Sequence, residues 1–183
     1  FNRQASKTVA GRNKRRDDSY EFGTNPCSEI ILRPFQFCNL SEVVVRESDQ
    51  EEDLLDKVEA ATILGTMQST LTSFKYLRRQ WKDTTEKERL LGVSLTGIMD
   101  HKILSGDVYN QSILPDLLKR MKQKAVDVNK VWAKRFGINQ ATAITCVKPS
   151  GTVSQLVNAA SGIHARHNEH YIRRVRGDKK DPL

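Results

Sequence analysis

Apolar residues recur every three or four positions over two long stretches of the chain. Leu54, Val58, Ala61, Leu64, Met67, Leu71 and Phe74 predict one amphipathic helix. Ser48 and Glu51 form a capping-box pattern ahead of it, and Asp49, Glu51, Glu52 and Asp53 supply the negative charge that suits a helix start. Leu114, Leu117, Met121, Ala125, Val128 and Trp132 predict a second helix over roughly 113–136, with Gly137 placed to end it. The segments around these helices read differently. Phe37 to Val45 becomes strand-like at Val43, Val44 and Val45. Leu90 to Met99 alternates apolar with small residues and reads as a buried strand running into a loop, and Ala141 to Val147 reads as a further strand. Gly23 and Asn25-Pro26 mark a turn, Ile30 to Leu32 is a short apolar run broken by Pro34, and Arg78 to Arg89 reads as a polar, basic loop. Lys148 to Thr152 is a turn, and Val153 to Ala160 the start of a helix. Strand, long helix, strand, long helix, strand is the alternation of an α/β protein with parallel strands.

Composition sets the limits. The 183 residues, 38% of them hydrophobic, suffice for one domain with a core or two small ones. No apolar run approaches the ~20 residues of a membrane span, and Phe1-Asn2-Arg3-Gln4 does not open a signal peptide, so the expected location is the cytoplasm. The absence of an initiator Met and the ending Asp181-Pro182-Leu183 give the expectation of a piece of something longer. Cys27, Cys38 and Cys146 are odd in number and lack CxxC spacing, which fits thiols in a reducing compartment better than a disulfide scaffold. Thirty Lys and Arg against 22 Asp and Glu give a net charge of +8, which points to an anionic partner: nucleic acid, phosphates or acidic lipid. The division expected along the chain is a basic, solvated lead-in over 1–21 and the folded part over 22–183.

Three constellations can carry chemistry. Asn25-Pro26-Cys27-Ser28-Glu29 places an amide, a thiol and a carboxylate on one proline-turned loop, and Cys38 adds a second thiol 11 residues after Cys27. Two thiols near a carboxylate suit redox chemistry with Glu29 as general base; the plainer alternative is a buried cysteine beside a surface glutamate. Lys148-Pro149-Ser150-Gly151-Thr152-Val153-Ser154 follows a strand and opens a helix, so its N–H groups and hydroxyls suit an anion, although the GxxxxGK[ST] pattern is absent. His164, His167 and His170, spaced by three, imitate a zinc set with Cys146, but their segment has weak helix credentials and arginines follow; no metal is expected. Cys146 itself reads as core packing.

Four of these segments in order resemble the catalytic subunit of ribonucleotide reductase: Asn25 to Glu29, Phe37-Cys38-Asn39-Leu40, Leu90-Leu91-Gly92-Val93-Ser94-Leu95-Thr96-Gly97, and Lys148 to Ser154. The resemblance runs from about Phe22 to the C-terminus. It is greatest to the adenosylcobalamin-dependent class II enzymes. Ile30 to Cys38 and Tyr171-Ile172-Arg173-Arg174-Val175-Arg176 look like the triphosphate-reducing type, with a diphosphate substrate left open. Class I shares the Cys27 chemistry, and class III does not need the Cys38 thiol.

The resemblance implies a ten-stranded α/β barrel with Cys27 on a central finger loop. It implies that Cys27 becomes a thiyl radical through adenosylcobalamin and takes the 3′ hydrogen of the ribose. Glu29 then accepts the 3′ hydroxyl proton, and Asn25 hydrogen-bonds the ribose hydroxyls. Cys38 is one of the two reducing thiols, its partner lying outside this chain. Pro149, Ser150, Gly151, Thr152, Val153 and Ser154 hold the substrate phosphates. The implied partners are the remaining reductase polypeptide and thioredoxin, and the implied product is deoxyribonucleotide for DNA synthesis. The chain alone is expected to be inactive, since the segments carrying the other redox cysteine and allosteric control are missing. The competing readings are a basic nucleic-acid-binding module and a zinc-structured module. The first lacks the interleaved aromatics of a stacking surface: aromatic residues are only 7% of the chain.

Overall fold

The structure is a computed structural model and describes residues 7, 16, 17, 19–107, 110–172, 174, 176–180 and 182. Strands β1 (Gly23–Thr24) and β2 (Ile31–Leu32) pair antiparallel, Gly23 against Leu32, and make the stem of a hairpin whose tip is the Asn25–Glu29 loop. Strand β3 (Asn39–Val44) pairs in parallel with β4 (Leu91–Thr96), from Asn39 opposite Leu91 to Val44 opposite Thr96. On its other side β4 meets the segment predicted as a third strand. There the pairing is a single parallel bridge, Val93 with Thr145, reinforced by the Val93 N–H on the Ile144 carbonyl at 2.8 Å and the Cys146 N–H on the Val93 carbonyl at 3.1 Å. Residues 141–147 therefore run beside β4 as extended chain with one bridge, not as a regular strand. The parallel α/β arrangement expected from the sequence is present; these strands do not close into a barrel among the described residues.

Helix α1 (Glu51–Gln68) follows β3, then α2 (Arg79–Glu88), β4, a 3₁₀ turn (Ile98–Asp100), α3 (Leu114–Phe136) and a single helical turn, α4 (Val153–Leu156). Helices α1 and α3 pack on one face of the β3–β4 pair. The core there is Val43, Val45, Leu91 and Val93 against Leu54, Val58 and Ala61 of α1 and Leu117, Met121 and Ala125 of α3. The two helices are also tied by polar groups: the Asn129 amide donates to Thr66 Oγ1 at 3.0 Å in the interior, and Arg120 pairs with Glu51 at 2.5 Å outside. Gly137 ends α3 in the left-handed region (φ 65), as predicted.

Helix α1 departs from the sequence reading at both ends. Its first cap bond runs from the Gln50 N–H to Asp53 Oδ2 at 2.8 Å, so the Ser48/Glu51 box is not the one used. It stops at Gln68, and Leu71, counted on the apolar stripe, is 72% exposed. The expected loop over Arg78 to Arg89 is largely the helix α2. This stretch has little apolar periodicity to announce a helix, and tertiary contacts hold it instead: Trp81 stacks on Phe37 with ring centroids 4.6 Å apart, and Glu88 is buried at the helix end. The basic lead-in lies mostly outside the described residues, but Arg16 is not solvated. Its guanidinium is buried on Glu88 (2.8 Å), next to Arg33 on the same carboxylate (2.9 Å) and Gln36 (2.6 Å).

Candidate functional site

Strand β4 separates two environments. Leu91, Val93 and Leu95 face the helices, while Gly92, Ser94 and Thr96 face the opposite side. Along that second face each small residue has a task. The position a Cβ would take on Gly92 lies 3.1 Å from Cys146 Sγ and 3.4 Å from Cys38 Sγ, so both sulfurs overhang this glycine. Ser94 Oγ accepts the Lys148 N–H at 2.8 Å. Thr96 Oγ1 donates to the Ala160 carbonyl at 3.0 Å and accepts the Gly162 N–H at 3.1 Å. The alternation of apolar and small residues in Leu91–Thr96 thus marks a core face and a face over which 146–162 folds.

The hairpin tip brings the first motif to the same region. The Asn25 side-chain oxygen accepts the Ile30 N–H at 3.0 Å, and its main-chain carbonyl accepts the Ser28 N–H at 2.9 Å. Ser28 takes a positive φ of 63, which completes the turn. Pro26 and Cys27 stand exposed at the tip, and the Cys27 thiol is free. Glu29 is turned inward, its side chain 4% exposed. Neither of its carboxylate oxygens has a hydrogen-bond partner among the described residues, and the cation beside it is Lys148, Nζ 3.7 Å from Oε1.

The two thiols over Gly92 are in a poor setting for a thiolate. Burial above all, then the neighbouring Cys146 thiol and the Glu29 carboxylate, push Cys38 up to about 12, against Arg16 and Lys148. Burial, Glu29 and Glu42 push Cys146 up to about 11, with Lys148 again opposing. Cys38 and Cys146 are both free thiols. β4 runs between the two segments that carry them, and adjacent strands lie about 4.8 Å apart, so their backbones are too far apart for a direct disulfide.

The Pro149–Ser154 turn packs on the same face. Ser150 is buried and its hydroxyl donates to Glu42 of β3. The Gly151 N–H donates to Ser161 Oγ at 2.9 Å, and Ser154 Oγ donates to the Gly151 carbonyl at 2.6 Å. The helix predicted to begin here is the single turn α4, so the geometry is that of a tight turn braced by its neighbours. His164, His167 and His170 lie exposed in an irregular stretch and share no helical face.

The structure therefore gathers Glu29, Cys38 and the Ser150 turn around one face of β4, with Cys27 exposed two residues before Glu29. Cys146 and Lys148 stand at the same face, and no local motif announces their place there. From the sequence Cys146 reads as core packing, although it stands two residues ahead of the Lys148-Pro149 turn that reaches the site. From the sequence Lys148 reads only as part of the turn; its distance from Glu29 in sequence hides the pairing.

No family model matches the chain. Curated relatives do. An adenosylcobalamin-dependent ribonucleoside-triphosphate reductase of Lactobacillus acidophilus is 28% identical over 100% of this chain and 27% of its own length. The protein of the same name from Lactobacillus helveticus is 30% identical over 91% of this chain and 25% of its own length. Among solved structures, a crystal structure of a B12-dependent class II ribonucleotide reductase superposes with a TM-score of 0.61 at 26% identity, over 78% of this chain and 22% of that one. The chain spans about a quarter of the length of the curated relatives it matches. Over most of its length, then, it is similar to a segment of the adenosylcobalamin-dependent ribonucleoside-triphosphate reductases, and it has the α/β fold of the corresponding part of a class II ribonucleotide reductase.

Proposed function

We propose that this chain is the thiyl-bearing segment of a ribonucleotide reductase that converts ribonucleoside triphosphates to 2′-deoxyribonucleotides, completed by further polypeptide. The observation that carries the reading is Glu29. A buried carboxylate with both oxygens unbonded among the described residues, two residues from an exposed thiol on a hairpin tip, suits a base awaiting a substrate hydroxyl. Cys27 takes the 3′ hydrogen atom of the ribose as a thiyl radical and returns it at the end. Glu29 accepts the proton of the 3′ hydroxyl, and Asn25, whose side-chain oxygen already shapes the loop, offers its NH₂ to the ribose hydroxyls. The 2′ hydroxyl leaves as water. The two electrons come from Cys38 and a second thiol outside this chain, which end as a disulfide that thioredoxin reduces.

The turn Pro149, Ser150, Gly151, Thr152, Val153 and Ser154 takes the substrate phosphates. Its Ser150 hydroxyl and Gly151 N–H, now on Glu42 and Ser161, exchange those partners for phosphate oxygens. In the complete enzyme the parallel strands and the finger hairpin are part of a ten-stranded barrel, which keeps water from the radical. Residues 22–183 belong to that barrel, and the lead-in before them is tied to it by Arg16 on Glu88.

The chemistry of the site fits adenosylcobalamin at Cys27, the thiol exposed on the loop tip and open to a group outside the chain. When bound, the cofactor supplies the one-electron chemistry that removes the Cys27 thiol hydrogen, and the protein's part is to place that thiol.

The test uses the full-length reductase that carries this segment, anaerobically, with adenosylcobalamin and nucleoside triphosphate. Cys27→Ser is expected to abolish both turnover and the coupled cobalt–thiyl EPR signal. Cys38→Ser is expected to keep the signal and lose multiple turnover. Full turnover by Cys27→Ser overturns the reading.

A further inference from the structure

We propose that Lys148 is a positioning residue of this site: its ammonium group is the counter-charge that holds the buried Glu29 carboxylate in place. The inference rests on the reading of Glu29 as the proton acceptor. A carboxylate withdrawn from water needs compensating charge or hydrogen bonds. Glu29 has no hydrogen bond to either oxygen among the described residues, and its ion pair is with Lys148. At 3.7 Å from Oε1 the ammonium lies beyond hydrogen-bond range, so it holds the anion by charge and leaves the oxygens open to a substrate hydroxyl.

The lysine stem starts from a fixed point. The Lys148 N–H is bonded to Ser94 Oγ of the central strand at 2.8 Å. Its carbonyl lies against Gly162, where a Cβ would come within 2.8 Å of the oxygen, so only glycine lets 146–162 fold down this closely. The groups around the pair are the Cys38 and Cys146 thiols and the Glu42 carboxylate; Arg16 acts on Cys38 ahead of Lys148, and Lys148 is the cation that acts on both thiols. Lys148 also immediately precedes the turn proposed to hold the phosphates. One side chain therefore ties the hairpin with the base, the thiols over Gly92 and the phosphate turn into a single arrangement.

The experiment uses the full-length reductase carrying Lys148→Met, Lys148→Gln or Lys148→Arg, with circular dichroism as a check on folding. Two quantities are read: kcat and KM for the nucleoside triphosphate, and the rate at which iodoacetamide labels Cys38 and Cys146 at alkaline pH, resolved by peptide mass spectrometry. The uncharged variants are expected to lose about tenfold or more in kcat, the size of a misplaced catalytic group, with KM within about threefold. They are also expected to slow labelling of both thiols, and Lys148→Arg is expected to restore both readouts. Where Lys148→Met does not fold, the same outcomes are read from Lys148→Gln. Wild-type kcat in a folded uncharged variant overturns the proposal. So does a loss confined to KM, which would make Lys148 a phosphate ligand only. Full turnover by Glu29→Gln is a different failure: it removes the base reading itself, while the labelling experiment still reports whether Lys148 acts on the site.

Discussion

Gly92 is the residue on which the site closes. A methyl group there would press on both sulfurs and more closely still on the end of the Leu40 side chain. Leu40 is partly exposed and can swing aside, so the expected loss for Gly92→Ala is near the low end for overpacking, about 1 kcal/mol. Urea denaturation is expected to show a lower midpoint with an unchanged slope. The thiols above the glycine make a pH prediction. Both are raised by burial, Cys38 to about 12 and Cys146 to about 11, from an ordinary value of 9.0. The folded protein therefore holds these protons longer than the unfolded chain does. Their contribution to stability is whole below pH about 9 and is lost as pH climbs toward 12. Cys38→Ala is expected to flatten the fall of stability between those pH values, measured by denaturant titration at a series of pH. At pH 8 iodoacetamide is expected to label exposed Cys27 well before Cys38 and Cys146. At this scale local motifs single out Cys27, Glu29 and Cys38 in the sequence, and the structure brings Glu29 and Cys38 to one side of β4. The places of Cys146 and Lys148 are not announced by any local motif, because their neighbours lie across β4.

Among the elements, α2 shows what local pattern leaves out. Residues 79–88 carry few apolar groups, so nothing in their periodicity announces a helix. The helix is held at its C-terminal end by Glu88, which is 1% exposed and faces Arg16 and Arg33, themselves buried. These partners come from 72 residues and more than 50 residues earlier in the chain, and no window of sequence brings them together. Among the described residues the cluster contains two cations and one anion, so Glu88 is the charge that makes it tolerable. Glu88→Gln takes from two buried guanidinium groups the carboxylate they share and is expected to destabilise by about 3–5 kcal/mol, read as a large fall in the urea midpoint. The same change loosens the support of the Phe37–Cys38 segment, because Phe37 donates its N–H to Thr85 of α2 at 3.3 Å. Helix α1, by contrast, is legible where Leu54, Val58 and Ala61 pack in the core, but Leu64 and Met67 of the same stripe are exposed and the helix stops at Gln68. There Ser69 Oγ turns back onto the Thr66 carbonyl at 2.7 Å, and Arg89 caps the Ser69 carbonyl.

For the molecule as a whole, the parallel α/β order was legible because Leu91–Thr96 and the two helical stripes each carry a clean period. Closure into a barrel rests on the resemblance alone, because these strands do not close among the described residues. Strand β3 is where further polypeptide is expected to join. It pairs with β4 on one side only among the described residues, and its outer edge offers a row of main-chain groups. Leu40 and Glu42 of that strand line the same face as Gly92 and Ser94, so whatever pairs with the edge also borders Cys38. The chain by itself is accordingly expected to give no turnover with adenosylcobalamin, nucleoside triphosphate and dithiothreitol. Supplied with the missing portion of a reductase such as the Lactobacillus relatives, it is expected to recover turnover. Its β3 amides are expected to slow in hydrogen exchange, by at least about tenfold if the edge becomes a paired interior strand. Turnover by the chain alone would show that the second reducing thiol is not needed from outside. Recovery of turnover with β3 exchange unchanged would place the junction at another surface.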